Sequence, residues 1–343
     1  MQGPAVEFPR ENFRAPELFC DFWFNSGPVS IGALDHCVLL LFFWDCADPA
    51  SLRGVSLVRE WQERYRGYGL AVIGIHSPSY PFGKDPMSVE RELRRLGVEL
   101  PVALDGDGIV RAAYRNPPVP SCCLVDRQGI VRSFFPGDGE CTLVERGIQS
   151  LIRESGYRGE MPDLPGTDFD EAGRTAERSH LTSRLEAGFL RSSLGNIEGV
   201  VPESTLDYRD PGIYFDGRFY AAGKWTTGRY SMLPSGEGAA VVARYEGEEV
   251  FAVLEARGDG ACVEVGHDGA VLAPDNFGSD VRRGSGGKCV VVVRDPRPYS
   301  LVSNQGYGEH LLRLTFSSDG PLFYSLSFLR HVTEGVLPSP SLL

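Results

Sequence analysis

The chain runs Val38-Leu39-Leu40-Leu41-Phe42-Phe43-Trp44 and then Asp45-Cys46-Ala47-Asp48-Pro49-Ala50-Ser51, and this stretch decides its fold. Seven consecutive apolar residues are too uniformly hydrophobic for a half-exposed strand, so they predict a central buried strand. Asp is a favoured N-cap and Pro a favoured first helical residue, so Asp48 and Pro49 predict a helix directly after the strand. That helix is expected to end near Gly67, since apolar residues keep a helical spacing until there.

Further elements are predicted on the carboxyl-terminal side of this unit. Residues 70–75 form a second buried strand, residues 87–97 a charged surface helix, and residues 102–105 a short third strand. A hairpin is expected from residues 122–126 and 130–135, and a last helix from about 143 to 154. Alternation along a strand would direct the adjacent Cys122 and Cys123 to opposite faces of the sheet.

The second half has a different character. Residues 161–199 are mostly polar and predict a linker, although residues 175–190 leave room for a helix. Beyond it, apolar strand-like segments recur at short spacing between turn residues, a pattern typical of an antiparallel sandwich. The predicted segments are residues 238–245, 250–254, 262–265, 289–293, 310–316 and 323–328. The expected domains are therefore residues 1–160 and 200–331, followed by a tail at 332–343.

Charge and cysteine content exclude several functions. The 343-residue chain has 46 acidic against 34 basic residues and a formal charge of −12, which argues against sequence-independent binding to nucleic acid or to an anionic membrane. The first ten residues lack a signal-peptide pattern and the apolar run at 38–44 is too short to span a bilayer, so a cytoplasmic location is expected.

The eight cysteines have no metal-ligand spacing, so free thiols and no metal or other cofactor are expected. The sequence leaves the oligomeric state open.

The first half resembles the TlpA/DipZ-type thioredoxin-like (redoxin) family. The resemblance rests on the order of several motifs, namely Arg14-Ala15-Pro16-Glu17-Leu18, Trp23-Phe24-Asn25-Ser26, Phe43-Trp44-Asp45, residues 69–78, Pro101-Val102-Ala103-Leu104-Asp105 and Val119-Pro120. It implies an α/β thioredoxin-like fold, in which helices flank a central mixed sheet. It also implies a cis peptide bond before Pro120, in a loop that faces the active-site turn and guides extended polypeptides.

The second half resembles the C-terminal domain of DipZ-type redoxins, a galactose-binding-like jelly roll. The motifs are residues 195–202, 208–212, 217–220 and 310–314. Domains of this type bind ligands or partner proteins through loops, so a sugar or other ligand is a possible partner. Phe219, Tyr220, Trp225, Tyr230, Tyr299 and Tyr307 are the candidate aromatic faces, although core packing is the commoner use of such residues.

Departures from the family pattern concentrate around the predicted active site. Asp48 and Ser51 occupy the two positions of the family's Cys-x-x-C, which identifies the site as degenerate. Other departures are Ser79 in place of Glu, Val119 in place of Trp, Asp138 in place of Glu and Cys141 in place of Tyr. A thioredoxin site needs one thiolate to attack and a second thiol to resolve the mixed disulfide, so we expect dithiol exchange to be absent.

Two roles are open for Asp48. A helix cap explains Asp48-Pro49-Ala50-Ser51 without further chemistry. A general base or metal ligand, assisted by Asp45, His76 or Asp138, is the sharper alternative.

Two roles are also open for Cys46. A buried structural thiol is one, and a catalytic thiol resolved by Cys122 or Cys141 is the other. Asp45 and Asp48 would raise the pKa of Cys46 and oppose the second role.

Two functions follow from these alternatives. The first is a binding module, without dithiol exchange, that recognises a protein or small-molecule partner on the surface around Trp44, His76 and Pro120. The second is a thiol-disulfide or peroxide-reacting redoxin that uses Cys46 and an external thiol reductant. A fold alone does not decide between them.

Overall fold

The computed structural model describes residues 12–137, 141–164, 180–317 and 320–331. Its contacts divide the chain into two compact units, Met1–Glu177 and Arg178–Leu343. Within the described residues, no helix combines the length and the apolar character needed to cross a bilayer.

The first unit alternates strands and helices. Its elements in chain order are β1 (Phe13–Arg14), β2 (Phe22–Phe24), β3 (Val38–Trp44), α1 (Pro49–Tyr65), β4 (Leu70–His76), α2 (Pro86–Arg95), β5 (Val102–Leu104), α3 (Ile109–Ala113), β6 (Ser121–Val125), β7 (Ile130–Pro136) and α4 (Cys141–Glu154). The predicted helices and strands are all present. The short elements β1, β2 and α3 are too brief to give a periodic signal and were not predicted.

The seven strands form one mixed sheet in the order β1-β7-β6-β3-β4-β5-β2. Strand β3 lies at its centre, parallel to β4 and antiparallel to β6. All seven residues of β3 are buried, as their uniform hydrophobicity predicts. Leu41 and Phe43 point into a core on one face, while Trp44 and His76 occupy the other face at the carboxyl ends of β3 and β4.

The second unit is built from strands. They are β8 (Leu185–Glu186), β9 (Ser204–Tyr208), β10 (Phe219–Thr227), β11 (Met232–Pro234), β12 (Ala239–Glu255), β13 (Ala261–His267), β14 (Ala270–Val271), β15 (Val281–Arg283), β16 (Cys289–Val293), β17 (Arg297–Phe316) and β18 (Leu322–Leu329). The pairings between these strands are antiparallel. Phe219, Trp225, Phe316 and Phe323 meet edge to face in its core.

Strand β12 organises this unit because it pairs with three neighbours, β10, β17 and β18. The sequence predicted two separate strands at 238–245 and 250–254, and this division is wrong. The chain continues as one strand through register shifts between Gly247 and Glu249 and between Val250 and Phe251. Such irregularities bend a strand and let one element serve several partners.

The predicted linker, 161–199, differs from what the structure describes. Residues 165–179 and the predicted tail, 332–343, lie outside the described residues. From Thr182 onward the chain is part of the second unit: the backbone of Thr182 bonds to Glu246, and β8 pairs with β18. The described part of the segment where a helix had been possible, residues 180–190, contains β8 and turns rather than a helix.

Candidate functional site

The carboxyl ends of β3 and β4 bring the predicted site residues of the first unit together. Parallel pairing places Trp44 level with His76, and the centroids of their rings are 5.1 Å apart. Phe43 lies opposite Ser121, so the preceding residues Val119 and Pro120 reach the same edge of the sheet. The peptide bond between them is cis, as the family resemblance implies.

Asp48 and Ser51 are bonded to each other at the start of α1. The Asp48 Oδ2 atom accepts hydrogen bonds from the backbone N and the Oγ of Ser51, both at 2.8 Å. The Ser51 hydroxyl is fully buried and also accepts a 3.2 Å hydrogen bond from the Asp45 backbone N. Both side chains therefore act in an N-terminal cap, which satisfies backbone donors that a helix leaves unpaired.

The same cap occurs a second time in this unit. Asp85-Pro86-Met87-Ser88 precedes α2, and the Asp85 Oδ2 atom accepts from the Ser88 backbone N at 3.0 Å and from its Oγ at 2.7 Å. These hydrogen bonds lower the pKa of the Asp85 carboxyl. The Asp-Pro-x-Ser arrangement is thus a capping device that the chain uses at the start of two helices.

Asp45 is fully buried and holds two loops in place. Its Oδ1 accepts a 2.9 Å hydrogen bond from the backbone N of Ala47, and its Oδ2 accepts one of the same length from the backbone N of Ser79. A buried carboxylate with backbone donors on both oxygens is in a satisfied structural role.

The thiol of Cys46 contacts the imidazole of His76. The distance from Sγ to Nε2 is 3.2 Å, and both side chains are buried. The other imidazole nitrogen, Nδ1, is buried and has no hydrogen-bond partner within the described part of the chain. Gly83 covers the pair, since a Cβ there would lie 3.6 Å from the His76 ring and 3.8 Å from Sγ.

The protonation of this pair is set mainly by burial. Burial raises the pKa of Cys46 well above its usual value, with a smaller contribution from the negative charge of Asp45. Burial lowers the pKa of His76, against the opposing effect of Asp45. The sequence predicts that the charges of Asp45 and Asp48 raise the pKa of Cys46; in the structure desolvation raises this pKa more than the charge of Asp45 does. The pair is neutral near pH 7.

Asp45, Cys46 and His76 together have the donor types of a metal site. One ligand atom from each lies within 4.8 Å of the others. The carboxylate already receives two backbone hydrogen bonds and all three residues are buried, so the arrangement is explained without a metal. Asp48 is not a member of this set.

Cys122 and Cys141 lie elsewhere on the same face of the sheet. They line a small cavity beneath α1 and α4, together with Phe42 and Gly54. Cys122 lies opposite Phe42 on β6, whereas the thiol of Cys46, which follows the end of β3, contacts His76 on β4, the strand on the other side of β3. This placement opposes Cys122 as the resolving partner of Cys46, because a disulfide needs Cα atoms about 4.4–6.8 Å apart.

The adjacent cysteines face opposite ways, as strand alternation predicts. Cys122 lines the cavity and Cys123 belongs to the core on the other face. None of the eight cysteines, all of which lie among the described residues, forms a disulfide. Asp138 lies outside the described residues.

The six aromatic candidates of the second unit are mostly buried. Phe219, Trp225, Tyr299 and Tyr220 are at most 4% exposed, whereas Tyr230 and Tyr307 are partly exposed. The first four therefore serve the packing of the sheet.

Sequence reasoning missed a group of titratable residues in the second unit. His267, Asp268 and His310 have ligand-type atoms within 4.8 Å of one another. The dipeptide Asp268-Gly269 after a predicted strand was a turn signal, but nothing local linked it to His310, which is 42 residues away.

The first unit is therefore of the thioredoxin-like class: a central mixed sheet with flanking helices, a helix that begins directly after the central strand, and a cis-proline loop at the same edge. In the second unit, residues 188–328 match the family model described as "Thioredoxin like C-terminal domain". The chain is 26% identical over 239 residues to the protein DipZ of Mycobacterium bovis, an alignment that covers 69% of this chain.

Two further comparisons each match less than half of the chain. The thiol-disulfide oxidoreductase YkuV of Bacillus subtilis is 21% identical over 133 residues, which are 39% of this chain and 89% of YkuV. The crystal structure of the thioredoxin-like superfamily protein SPOA0173 has a TM-score of 0.39 and 26% identity, and the match covers 43% of this chain and 99% of that one.

The sequence comparisons support a relationship to thioredoxin-like proteins of the DipZ and ResA type. The chain spans about a third of the length of the DipZ proteins, since the alignment covers 34% of DipZ.

Proposed function

We propose that the first unit is a thioredoxin-like binding module without dithiol exchange, and that it recognises an extended polypeptide beside Asp48 and the Val119-Pro120 loop. The observation that carries the proposal is the bonding of Asp48 to Ser51, at the two positions where the family resemblance places Cys-x-x-C. A carboxylate and a hydroxyl can neither attack a disulfide nor resolve one. The identical cap at Asp85 and Ser88 supports a structural role for both side chains.

A disulfide-reductase assay tests the loss of exchange. Wild-type protein is expected not to accelerate the reduction of insulin by dithiothreitol. The double variant Asp48→Cys with Ser51→Cys is expected to gain activity, because a thiol at this helix N-terminus has a lowered pKa. The matched control is Asp85→Cys with Ser88→Cys, which places the same motif at the start of α2, where the family resemblance places no Cys-x-x-C. Insulin reduction by the wild type would overturn the proposal.

A tethering experiment tests the binding role. The single variant Asp48→Cys carries an attacking thiol but keeps Ser51, so it can hold a cysteine-containing peptide as a mixed disulfide. A set of cysteine-centred decapeptides is equilibrated with this variant and with Asp85→Cys in a redox buffer, and mass spectrometry of tryptic fragments locates each peptide. Preferential retention of particular peptides at position 48 supports the proposal. Equal retention of every peptide at both positions would refute a binding surface there.

A second candidate function rests on the 3.2 Å contact between Cys46 and His76. A thiol beside an imidazole is the arrangement of many cysteine nucleophiles, and the oxidoreductase relatives are compatible with it. Burial of both groups and the raised pKa of Cys46 oppose it. Turnover of hydrogen peroxide or of a small disulfide that is lost in Cys46→Ser and retained in Cys262→Ser would favour this second function over the binding role.

The proposal extends to the fold and ligand binding of the second unit and to the cellular location of the protein. The antiparallel pairings of its strands support a jelly roll, and we propose that this unit binds a ligand through its loops. The lack of disulfides among the eight described cysteines supports a reducing compartment such as the cytoplasm.

A further inference from the structure

We infer that the second unit holds one divalent transition-metal ion, with zinc as the expected occupant, between His267, Asp268 and His310. The inference is independent of the proposed function of the first unit. It rests on the placement of three side chains by strand pairing, on their spacing, and on the hydrogen bonds that orient them.

Three adjacent segments converge at this point. His267 is the last residue of β13, and Asp268 follows it in the turn to β14 with a φ of 51°. Strand β13 pairs with β17 so that His267 lies opposite Leu312. His310 is two residues before Leu312 on β17, so alternation places it on the same face as His267 and one diagonal step away.

The spacing suits a small cation. The Asp268 Oδ2 atom lies 2.9 Å from the His310 Nδ1 and 3.4 Å from the His267 Nδ1. Ligand atoms at about 2.0–2.2 Å from a zinc ion are themselves about 2.8–3.6 Å apart in octahedral or tetrahedral geometry. Two of the three ligand-to-ligand distances fall in this range, and the ligand atoms of the two imidazoles lie within 4.8 Å of each other.

Surrounding hydrogen bonds orient the Asp268 and His267 side chains. Asp268 is locked to the backbone of Leu311, since its N donates to the Leu311 O and its Oδ1 accepts from the Leu311 N, both at 2.8 Å. That leaves Oδ2 as the atom that faces the two rings. The Nε2 of His267 is 2.9 Å from the hydroxyl of Tyr245, which also accepts a 3.0 Å hydrogen bond from Asn304. Metal-bound histidines are typically oriented by such a partner on their second nitrogen.

One side of the cluster is open. The His267 side chain is 6% exposed, whereas those of His310 and Asp268 are 22% and 49% exposed. An ion could therefore enter from solvent and keep at least one water ligand. Two imidazoles and one carboxylate favour zinc or a neighbouring transition metal over calcium or magnesium, which prefer oxygen ligands.

Metal titration of the full chain tests this inference. Zn²⁺ binding is measured by calorimetry, and Co²⁺ binding by its visible absorption, in wild type, Asp268→Asn and His310→Gln. These two residues are partly exposed, so their substitution spares the core; circular dichroism without metal checks that each variant folds. The matched control is His36→Gln, which alters an exposed histidine that lies beside an aspartate, Asp35, in the first unit.

The expected result is one equivalent of Zn²⁺ or Co²⁺ per chain, with affinity weakened at least about tenfold in Asp268→Asn and in His310→Gln and unchanged in His36→Gln. The Co²⁺ spectrum should lack thiolate charge-transfer absorption, which separates this site from metal binding by cysteine thiols. Unchanged affinity in the two folded variants, or the absence of stoichiometric binding by the wild type, would overturn the inference. In that case His267, Asp268 and His310 are held together by hydrogen bonds alone.

Discussion

At the scale of single residues, the first unit contains a thiol that has a suitable neighbour for reaction but is buried from solvent. Cys46 has the neighbour that a nucleophile needs, an imidazole nitrogen at 3.2 Å, yet the thiol is only 4% exposed. Burial keeps both groups neutral, so the pair stabilises the closed loop around it rather than presenting a thiolate.

Alkylation rates report this difference directly. We expect iodoacetamide at pH 7.5 to modify Cys262, which is exposed, well before it modifies Cys46 in the native protein. Peptide mass mapping over a time course measures both rates. In guanidinium chloride the two cysteines should react at similar rates, which controls for local sequence effects. Equal rates in the native state would show that Cys46 is accessible.

His76 makes the stability of the first unit depend on pH. Its pKa is lowered in the folded state, so below its ordinary value of 6.5 the unfolded chain takes up a proton that the folded chain excludes. The unfolding free energy should therefore decrease as the pH falls below about 6.5, by up to about 1.4 kcal/mol per pH unit.

The measurement is urea unfolding at several pH values between 5 and 7.5, followed by a signal from the first unit. His76→Gln should flatten the dependence. His36→Gln, at an exposed histidine, should leave it in place. A wild-type stability that is constant over this range would contradict the buried neutral state of His76.

At the scale of elements, the two Asp-Pro-x-Ser caps show one local motif in two environments. At α1 the serine is fully buried and its hydroxyl also accepts a bond from Asp45, whereas the bonds of the α2 cap are exposed. The hydrogen-bond pattern within each cap is the same. The difference comes from what the folded chain places around each helix start.

Capping variants should reflect that difference. We expect Asp48→Ala and Asp85→Ala each to destabilise the first unit by about 0.5–2 kcal/mol, because each leaves helix N–H donors unpaired. The α1 variant should lie at the upper end, since it also removes a partner of the buried Ser51 hydroxyl. Chemical denaturation at pH 7 measures both. A larger loss of stability in Asp85→Ala than in Asp48→Ala would mean that burial of the α1 cap does not increase its contribution to stability.

At the scale of the whole molecule, the two hydrophobic cores form around different kinds of sheet. The first surrounds β3 in a mixed sheet, and the second surrounds β12, which pairs with three antiparallel neighbours. Leu41 belongs to the first core and Leu314 to the second, and both are fully buried.

Core truncations should separate the two units. Leu41→Ala should lower the stability of the first unit by about 2–5 kcal/mol and leave the second unchanged, and Leu314→Ala should do the reverse. Scanning calorimetry resolves the transitions. Trp225 is the one tryptophan of residues 178–343, so fluorescence of a variant that lacks the other three tryptophans follows the second unit alone. A shift of both transitions by either substitution would show that the units unfold together.

Local patterns in the chain were enough to predict most elements of the first unit, but only β12, β13, β16, β18 and part of β17 among the eleven described strands of the second. The uniform apolar run at 38–44 identified a buried central strand, and Asp48-Pro49 identified the first residue of α1. These predictions succeed because hydrophobic periodicity and capping act over a few residues. The two register shifts within β12 have no such local signal, so one strand was predicted as two.

The sequence by itself determined which side chains stand at the predicted site: an aspartate and a serine at a helix start, and a lone thiol two residues earlier. Only the tertiary structure decided their surroundings. It placed His76 against Cys46, put β3 between His76 and Cys122, and joined His267 and Asp268 to His310 across paired strands. The physical reason is that strand order and register bring together residues dozens of positions apart, and no local pattern of the chain encodes which of them will meet.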